Sequence, residues 1–366
     1  MSPSLVLRPR IPEGIATAAA IPLRAQRPTC HSQSQLFSII FSSSRNASSS
    51  TLNNDPKSPA AFKAADRLSG RTCMITGGTS GIGYAIAERF LQEGADRVIL
   101  VGRSYKRLQN AAFRLEDSPA VASCSDSDVA TRAPEEDNQE KGERELDMTR
   151  IQPNGTLVNS SDKVDLLVGD VSDVGSWVRE LEKEMQSVDI LVNAAGISLS
   201  SILPKTEPGD ISQTLRTNLE GAMLTSRALV RAAIRSRMKN RKNTETKPPS
   251  KCIINVSSLL AVKGGTGAVP YAASKAGILG LTRSLTVEAA NSLRDVVIRS
   301  NAIVPGYIET PMIADFSDGE TSRLKETIPL RRFGDPREIA DAAVFLAQNE
   351  YANNCVLNLD GGLSAV

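Results

Sequence analysis

A tyrosine and a lysine four positions apart are the residues of this chain best suited to acid–base chemistry. Tyr271 and Lys275 follow a glycine-rich turn in a stretch typical of a helix, so they lie one turn apart on one face. An ammonium beside a phenol favours the phenolate and lowers the pKa of the tyrosine from its usual value of about 10. A tyrosine tuned in this way can act as a general acid or base near neutral pH.

A serine precedes this pair at the end of an apolar run. The run Cys252 to Val256 is typical of a buried strand and is followed by Ser257 and Ser258. We expect Ser258 to hydrogen-bond the same reacting oxygen as the tyrosine. The alternative is a solvated helix face with an incidental Tyr-Lys pair, and the serine together with a nucleotide-binding turn near the front of the chain argues against it.

The nucleotide-binding turn is the segment T-G-G-T-S-G-I-G, which lies between the apolar strand Thr72 to Thr76 and a predicted helix over Tyr84 to Gln92. Its glycines let the backbone approach a pyrophosphate, which the N-terminal amides of the helix would bind. A tight turn that binds nothing is the alternative, and the strand–turn–helix context favours the nucleotide. The residues predicted to contact the cofactor here are Thr76, Gly77, Thr79, Ser80, Gly81, Ile82 and Gly83.

The end of the second predicted strand bears on the choice of cofactor. This strand, Arg97 to Val101, is followed by Gly102 and Arg103. An NAD-preferring chain usually carries an acid here to bind the adenosine ribose hydroxyls, whereas a guanidinium suits the 2′-phosphate of NADP. Arg103 therefore predicts NADP(H), with an ordinary surface arginine as the alternative.

Two later strand ends offer further cofactor contacts. A strand over Lys163 to Val168 leads to an aspartate placed to meet the adenine edge, and a strand over Asp189 to Val192 leads to N-A-A-G, whose small residues let the backbone press against the cofactor. The residues predicted to take part are Asp170, Val171, Asn193, Ala194, Ala195 and Gly196.

One polar residue stands out inside a long predicted helix. The helix runs from about Ile211 to about Met238 and contains Asn218. Because asparagine has a poor helix propensity, Asn218 is either a tolerated polar residue or a side chain with a task.

Composition excludes several classes of function. The net charge of +2 gives no reason to expect nucleic acid as a partner, and no run approaches the ~18 apolar residues of a membrane span. The five cysteines form no C-x-x-C pair, which fits a reducing compartment. The single histidine, His31, precedes the predicted fold, so histidine-dependent hydrolases and histidine-ligated zinc sites are excluded, and no metal is predicted.

The chain divides into a leader and one domain. Residues 1–66 are rich in arginine and serine and poor in acids, which is typical of a transit peptide and indicates the mitochondrial matrix; a disordered tail is the alternative. Residues 67–366 form the domain. Its low-complexity insertion, residues 117–162, is acidic in the middle, and we predict a largely disordered surface loop.

The order of elements predicts a single doubly wound Rossmann-type α/β domain with a mostly parallel sheet. After a strand over Val296 to Ala302, residues 307–330 would overhang the carboxyl ends of the strands as a lid over substrate. A basic segment follows the long helix, and it is either a solvated helix end or a docking surface for an acidic partner. Its members are Arg231, Arg235, Arg237, Lys239, Arg241, Lys242, Lys247 and Lys251.

These features together resemble the short-chain dehydrogenase/reductase family, from about residue 68 to the end apart from the insertion. The resemblance rests on T-G-G-T-S-G-I-G, N-A-A-G, Asn218, Ser258, Tyr271, Lys275 and Pro305-Gly306. Within the family, P-G-Y-I-E-T-P-M at 305–312, the segment 328–347 and the terminal L-D-G-G are most similar to 3-oxoacyl-acyl-carrier-protein reductases. With the leader, this suggests the reductase of a mitochondrial, bacterial-type fatty acid synthesis pathway.

The resemblance implies a role for each residue of the site. Tyr271 would protonate the carbonyl oxygen while NADPH delivers hydride to the carbon. Lys275 would bind the nicotinamide ribose and lower the pKa of the tyrosine, and Ser258, chosen over Ser257 by its spacing, would hold the carbonyl. Asn218 would support a water-mediated proton path toward Lys275. The resemblance also implies cofactor contacts from Pro305, Gly306, Ile308, Thr310, Tyr271 and Lys275.

The implied reaction is NADPH-dependent reduction of a 3-oxoacyl thioester, bound to an acyl carrier protein, to the 3-hydroxyacyl thioester in fatty acid biosynthesis. The basic residues at 231–242 lie where such reductases meet their acidic carrier, and a homotetramer through the long helices and the C-terminal strand is expected. The alternatives are a family member that acts on a steroid, quinone or polyol, and a non-catalytic nucleotide-binding subunit. One departure is Ser80, where many NADP-preferring members carry Arg or Lys.

Overall fold

The computed structural model describes residues 66–118, 152–239, 250–293, 296–314 and 316–366. Several predictions fall outside these residues: the leader except its last position, with His31; residues 119–151 of the insertion; and Arg241, Lys242 and Lys247 of the basic segment.

Strands and helices alternate along most of the described chain. The strands are β1 (Thr72–Thr76), β2 (Arg97–Gly102), β3 (Leu157–Asn159), β4 (Val164–Val168), β5 (Ile190–Asn193), β6 (Lys251–Val256), β7 (Ile298–Pro305) and β8 (Val356–Leu359). The α-helices are α1 (Gly81–Gln92), α2 (Tyr105–Glu116), α3 (Val178–Glu184), α4 (Pro208–Leu215), α5 (Gly221–Lys239), α6 (Val269–Ser292), α7 (Asp318–Thr327) and α8 (Pro336–Gln348).

The strands form one sheet in the order β3-β4-β2-β1-β5-β6-β7-β8. All neighbouring pairs are parallel except β3 and β4. The chain builds outward from β1 through β2 to β4 and then returns to place β5 on the other side of β1, so the strand order reverses between β1 and β5. This reversal is the point where such sheets bind ligands. The predicted doubly wound, mostly parallel α/β fold is confirmed.

Both faces of the sheet are covered by helices. Alternate residues of each strand point to opposite faces, so Ile75 and Leu100 pack in one core layer, with residues of α1, α2 and α8, while Met74 and Ile99 pack in the other, with residues of α3, α5 and α6. Strands buried on both faces read as continuous apolar runs, which is why the sequence revealed them.

The insertion differs from its prediction at its C-terminal end. Leu157–Asn159 was predicted as part of a disordered loop, but it pairs antiparallel with β4 at the edge of the sheet. The side-chain amide of Asn159 donates to the Asp165 carboxylate at 2.9 Å and fixes the pair. The strand is three residues long with only Val158 partly buried, so it leaves too short an apolar pattern to detect.

Three elements differ from their predicted bounds by two residues or more. The helix after the nucleotide-binding turn begins at Gly81 rather than Tyr84, and the helix ahead of Asn218 begins at Pro208 rather than Ile211. Proline is favoured in a first helical turn because its missing amide hydrogen has no partner there. The strand predicted over Val296 to Ala302 lies instead at Ile298–Pro305.

Within the described residues, no helix has the length and apolarity to cross a membrane. The same residues contain no cluster of three or more His, Cys, Asp or Glu side chains that could hold a metal ion.

Candidate active site

The carboxyl ends of β1, β5 and β6 bring the predicted site residues to one edge of the sheet. The strands are in register here, with Thr76 opposite Asn193 and Asn193 opposite Asn255. The hydroxyl of Thr76 accepts a hydrogen bond from the amide of Ala195 at 3.2 Å, so the nucleotide-binding turn and the N-A-A-G segment are joined directly.

The structure distinguishes the two serines that follow β6. Ser257 is buried, and its hydroxyl donates to the backbone carbonyl of Lys275 at 2.8 Å. Ser258 accepts from the amide of Leu260 at 3.2 Å, and its side chain lies close enough to Tyr271 to favour a lower pKa of that tyrosine. Ser258 is therefore the serine that shares a site with the tyrosine hydroxyl, while Ser257 fixes the helix that carries it.

Lys275 is buried one helical turn beyond the tyrosine. Its Nζ donates to the carbonyl oxygen of Val256 at 2.9 Å and lies 5.8 Å from the centre of the Tyr271 ring. Burial disfavours the charged form and lowers the pKa of Lys275 to about 8. This ammonium is consequently close to its titration range at neutral pH.

The predicted effect of Lys275 on the tyrosine is wrong for this structure. The pKa of Tyr271 is raised above its ordinary value because burial disfavours the phenolate, and the side chain of Ser258 only partly opposes this effect. The ammonium of Lys275 donates to the Val256 carbonyl and lies 5.8 Å from the centre of the Tyr271 ring, and it does not offset the effect of burial on the phenol. Tyr271 therefore holds its proton at neutral pH.

Asn218 lies in a π-helical turn, Arg216–Glu220, that joins α4 to α5. Its Oδ1 accepts from the amide of Ile197 at 2.8 Å, and its Nδ2 donates to the carbonyl of Ile197 at 2.9 Å and to the hydroxyl of Ser274 at 3.0 Å. A π turn inside a helix often marks a functional site. The sequence left open whether Asn218 is a tolerated polar residue or a functional one, and the structure favours a functional one.

Three segments meet around Gly196. A Cβ atom at this glycine would lie 3.4 Å from Oδ1 of Asn218 and 3.4 Å from Nζ of Lys275. The end of the N-A-A-G segment, the π turn and α6 therefore converge, and the residue at their meeting point has no side chain that would fill the space.

The nucleotide-binding turn fits a phosphate-bearing cofactor. Gly77 has a φ of +71° and approaches Ala195 so closely that a Cβ atom would lie 2.8 Å from the Ala195 backbone. A Cβ at Gly83 would lie 2.5 Å from the carbonyl oxygen of Gly77. Ser80, the N-cap of α1, makes no side-chain cap hydrogen bond, so the helix offers its first amides to an anion.

The remaining predicted cofactor residues fall into two groups. Thr310 lies beside Gly81, and Arg103, which is exposed, follows β2 at the carboxyl edge of the sheet. The other residues of this group lie at or just beyond the carboxyl ends of strands or at the start of α1: Thr79, Ile82, Val171, Ala194, Pro305 and Gly306. The side chain of Asn193 instead lies in a buried network with Asn255 at 2.9 Å and Thr225 at 2.7 Å. That of Ile308 packs in the core. Only the backbone of these two residues is available at the edge.

Asp170 lies where it was predicted, but its side chain has local partners. The carboxylate accepts from the amide and from the hydroxyl of Ser172, both at 2.8 Å, and caps a 3₁₀ turn. The indole nitrogen of Trp177 donates to the Asp170 carbonyl at 3.0 Å, which fixes the backbone beneath it.

Sequence reasoning missed several residues that support the site. Ser274 links Asn218 to α6, because its own hydroxyl donates to the Tyr271 carbonyl at 2.7 Å. Arg107 and Arg114 both reach the nucleotide-binding turn from α2. No local pattern marks these residues. Only its position three residues after the tyrosine could have suggested Ser274, and only their spacing of seven residues on one helix face could have suggested the two arginines.

The segment predicted as a lid packs through aromatic rings. The ring of Tyr307 lies 5.7 Å from that of Phe333 and 6.3 Å from that of Phe316. Tyr307 and Phe333 belong to a small apolar cluster that includes Leu259, the residue after Ser258. The segment thus packs against the loop that carries the catalytic serine candidate.

Two family profiles match the chain. The one described as Enoyl-(Acyl carrier protein) reductase matches residues 142–364, and the one described as short chain dehydrogenase matches residues 71–151. Together they cover the described sheet.

Curated relatives are similar over nearly their whole length. The chain is 33% identical over 293 residues to a 3-oxoacyl-[acyl-carrier-protein] reductase of Bos taurus, covering 80% of this chain and 98% of the relative. It is 32% identical over 302 residues to a 3-oxoacyl-[acyl-carrier-protein] reductase of Thermotoga maritima, covering 81% of this chain and 99% of the relative.

Solved structures share the fold. One, described as a candidate NAD(P)-dependent gluconate 5-dehydrogenase from Beutenbergia cavernae with bound NADP at low occupancy, gives a TM-score of 0.62 at 26% identity, covering 83% of this chain and 100% of that one. Another, a candidate 2-deoxy-D-gluconate 3-dehydrogenase from Agrobacterium tumefaciens with bound NADP, gives a TM-score of 0.59 at 27% identity, covering 83% and 100%.

Proposed function

The chain belongs to the short-chain dehydrogenase/reductase family, and on that premise we propose that it reduces a 3-oxoacyl thioester to the 3-hydroxyacyl thioester with NADPH. That it is an oxidoreductase with an NAD(P)-binding fold follows from the family. The observation that carries the finer proposal is the full-length similarity to 3-oxoacyl-[acyl-carrier-protein] reductases from a mammal and a bacterium.

The protonation states of the site suit reduction. Bound NADPH would supply the hydride that reaches the carbonyl carbon. Tyr271, which holds its proton at neutral pH, gives that proton to the carbonyl oxygen, so the carbonyl becomes a hydroxyl. Ser258 donates a hydrogen bond to the same oxygen and stabilises the charge that develops on it.

Lys275 and Asn218 then restore the site. With a pKa of about 8, Lys275 can lose and regain a proton near neutral pH, and it would return one to Tyr271 through water held beside Asn218. Lys275 would also bind the nicotinamide ribose. Asn218 fixes the Ile197 backbone on one side and, through Ser274, the start of α6 on the other.

Apolar side chains at the carboxyl edge support an acyl substrate. Ile202 and Leu203 follow β5, Val262 follows β6 and Met312 follows β7, and all four are exposed. Exposed apolar side chains on three successive loops of a binding edge favour a ligand with an apolar chain.

A row of arginines on α5 supports an acidic carrier protein as the partner. Arg227, Arg231 and Arg235 lie on one helix face, and all three turn toward one carboxylate, that of Glu182, at 3.9, 3.2 and 3.0 Å. Three guanidinium groups against one carboxylate leave an excess of positive charge, which attracts an acidic surface.

Assembly and location are proposed on separate grounds. Exposed apolar side chains on the long helices (Met223 and Val287) and near the last strand (Phe345 and Val356) support a homotetramer through these two faces. The arginine- and serine-rich, acid-poor leader supports the mitochondrial matrix.

The solved structures favour a second candidate, the oxidation of a sugar acid or another polyol. Structures described as gluconate dehydrogenases match at TM-scores of 0.62 and 0.60. The apolar loops at the carboxyl edge argue against it, because a polyol needs polar partners for its hydroxyl groups.

One pair of assays separates the two candidates. NADPH oxidation with an acetoacetyl thioester is compared with NADP⁺ reduction by gluconate, using the full chain, and the first is repeated with NADH. Turnover of the thioester with NADPH alone supports the proposal. Turnover of gluconate without turnover of the thioester overturns it and leaves the family assignment in place.

A further inference from the structure

We propose that Arg107, together with Arg103, determines the preference for NADP(H) by binding the 2′-phosphate, so that a helix side chain supplies the charge missing at Ser80. The inference rests on the proposed use of NADPH. It adds a specificity residue that neither the spacing of the nucleotide-binding turn nor the end of β2 indicates.

The contact that carries the proposal joins α2 to the nucleotide-binding turn. The Nη2 atom of Arg107 donates to the hydroxyl of Ser80 at 3.3 Å. The start of the helix is held in place, since the amide of Arg107 donates to the hydroxyl of Ser104, the N-cap residue, at 3.4 Å. The guanidinium of Arg107 thus lies against Ser80, the position of the turn where many NADP-preferring members of the family carry a basic residue.

The charge of Arg107 has no opposite charge beside it in the structure that we describe. Among the described residues, neither Arg103 nor Arg107 forms an ion pair with a carboxylate. A neutral hydroxyl is a weak partner for a guanidinium, whereas a phosphate can accept two parallel hydrogen bonds from it. Arg107 therefore suits an anion better than it suits the hydroxyl that it now contacts.

Arg114 shows what a structural arginine on the same helix looks like. Its guanidinium lies 4.2 Å from the centre of the Tyr84 ring and donates to the carbonyl of Thr79 at 3.2 Å. The carbonyl and the ring account for its position without a ligand. Arg107 has neither contact.

The last residue of β2 disfavours an acid that would bind the ribose hydroxyls. Gly102 carries no side chain, and a Cβ atom there would lie 3.3 Å from the methyl group of Thr79. A carboxylate at this position would therefore crowd the turn. With glycine here and arginines at positions 103 and 107, the groups beside the turn are cationic or neutral.

The test is calorimetric titration of the full-length protein with NADP⁺ and with NAD⁺, without substrate. Arg107→Ala is expected to weaken NADP⁺ binding by about 10- to 100-fold, the loss of one charge-assisted pair, and to leave NAD⁺ binding within about 2-fold. Lys106→Ala is the matched control, because it removes the same charge from the adjacent exposed position and should change neither affinity by more than about 2-fold. Arg107→Lys should restore part of the NADP⁺ affinity.

The outcomes separate this inference from the proposed function. Equal losses of affinity for NADP⁺ and NAD⁺ in Arg107→Ala would show that Arg107 only shapes the turn. Unchanged affinities for both would show that it plays no part. Either result overturns the inference while the wild-type preference for NADP⁺ stands. A wild-type protein that binds NAD⁺ as tightly as NADP⁺ would contradict the proposed cofactor itself. Circular dichroism and melting temperature confirm that each variant is folded.

Discussion

Asn218 and Ile197 exchange two hydrogen bonds between the π-helical turn and the segment after β5. The Oδ1 atom of Asn218 accepts from the Ile197 amide at 2.8 Å, and its Nδ2 atom donates to the Ile197 carbonyl at 2.9 Å. An asparagine side chain carries one hydrogen-bond donor group and one acceptor, as a peptide group does. Only glutamine, or a protonated aspartate, could form both hydrogen bonds in its place. The segment that faces Lys275 is thereby fixed by one side chain.

Removal of this side chain should destabilise the protein. Asn218→Ala leaves the amide and carbonyl of Ile197 without their partners, and we expect the free energy of unfolding to fall by about 2–4 kcal/mol. Urea unfolding monitored by circular dichroism measures the change. Asn110→Ala, at an exposed position of α2, is the control and should stay within about 0.5 kcal/mol of the wild type. Equal stability of the two variants would contradict the role assigned to the pair.

Tyr271→Phe should separate chemistry from binding. The substitution removes the proton donor but keeps the ring, so we expect the rate of thioester reduction to fall by about 10²- to 10⁴-fold. The affinity for NADPH, measured by titration, should change by less than about 3-fold, because no charge–charge contact is lost. Tyr351→Phe is the control, since Tyr351 is 98% exposed and should keep full activity. Retained turnover in Tyr271→Phe would assign the proton to another group, and an inactive wild type that still binds NADPH would support a non-catalytic subunit.

The lowered pKa of Lys275 predicts a loss of reductase activity in mild alkali. Below pH 8 the ammonium is present to bind the ribose and return a proton; as the pH rises through about 8 it is lost. We therefore expect kcat/KM for NADPH to be level from pH 6 to 7 and to fall above a midpoint near 8, because this parameter reports groups of the free enzyme. In Lys275→Arg the residual activity should lack this alkaline limb, since a guanidinium stays charged. A level profile to pH 9.5 in the wild type would refute the assignment.

The lowered pKa of Lys275 also predicts how the free energy of unfolding changes with pH. The unfolded lysine keeps its proton to about pH 10.4 and the folded one only to about 8, so the unfolded state binds more protons between these values. The contribution of this group to the free energy of unfolding should therefore rise with pH over that window and be constant below it. Lys275→Met should remove this rise, and the difference in stability between wild type and variant, followed by urea unfolding from pH 7 to 10, measures it.

The fold was accessible from the sequence because its central strands are buried on both faces. The apolar runs that became β1, β2, β5 and β6 needed no tertiary information, and the glycine spacing of the turn specified which strand came first. β7 was misplaced because Arg299, Ser300 and Asn301 interrupt its apolar pattern. The side chains of Arg299 and Asn301 donate to partners far along the chain, such as the Ala352 carbonyl, which no local pattern reveals.

The site was predicted in its residues but less well in its electrostatics. Helical spacing brought Tyr271 and Lys275 to one face, yet the pKa of the tyrosine is set mainly by burial, and the ammonium donates to the Val256 carbonyl. The contact between Arg107 and Ser80 spans 27 positions and depends on how α2 packs beside the turn. Spacing predicts neighbours within one element, whereas these interactions arise between elements.

A buried arginine in β7 allows the last prediction, which concerns the helix that covers one face of the sheet. Arg299 is 2% exposed, and its guanidinium donates to the carbonyls of Leu346 and Ala347, each at 2.7 Å, in the last turn of α8. The last four carbonyls of a helix have no partner within it, and the helix end carries partial negative charge, so a buried cation satisfies both. Its Nε atom also donates to the hydroxyl of Ser250 at 2.9 Å.

Arg299→Met keeps the length of the side chain and removes every one of these bonds. We expect the free energy of unfolding to fall by about 3–5 kcal/mol, because the buried carbonyls at the end of α8 lose their guanidinium donor. Arg337→Met is the matched control: Arg337 lies at the other end of the same helix, its side chain is 49% exposed in an ion pair with Asp335, and its loss should lower the free energy by no more than about 1 kcal/mol. Both values come from urea unfolding at pH 7. If the two variants lose equal stability, the carbonyl groups at the end of α8 do not depend on Arg299. The presence of polar residues in β7 would then need another explanation.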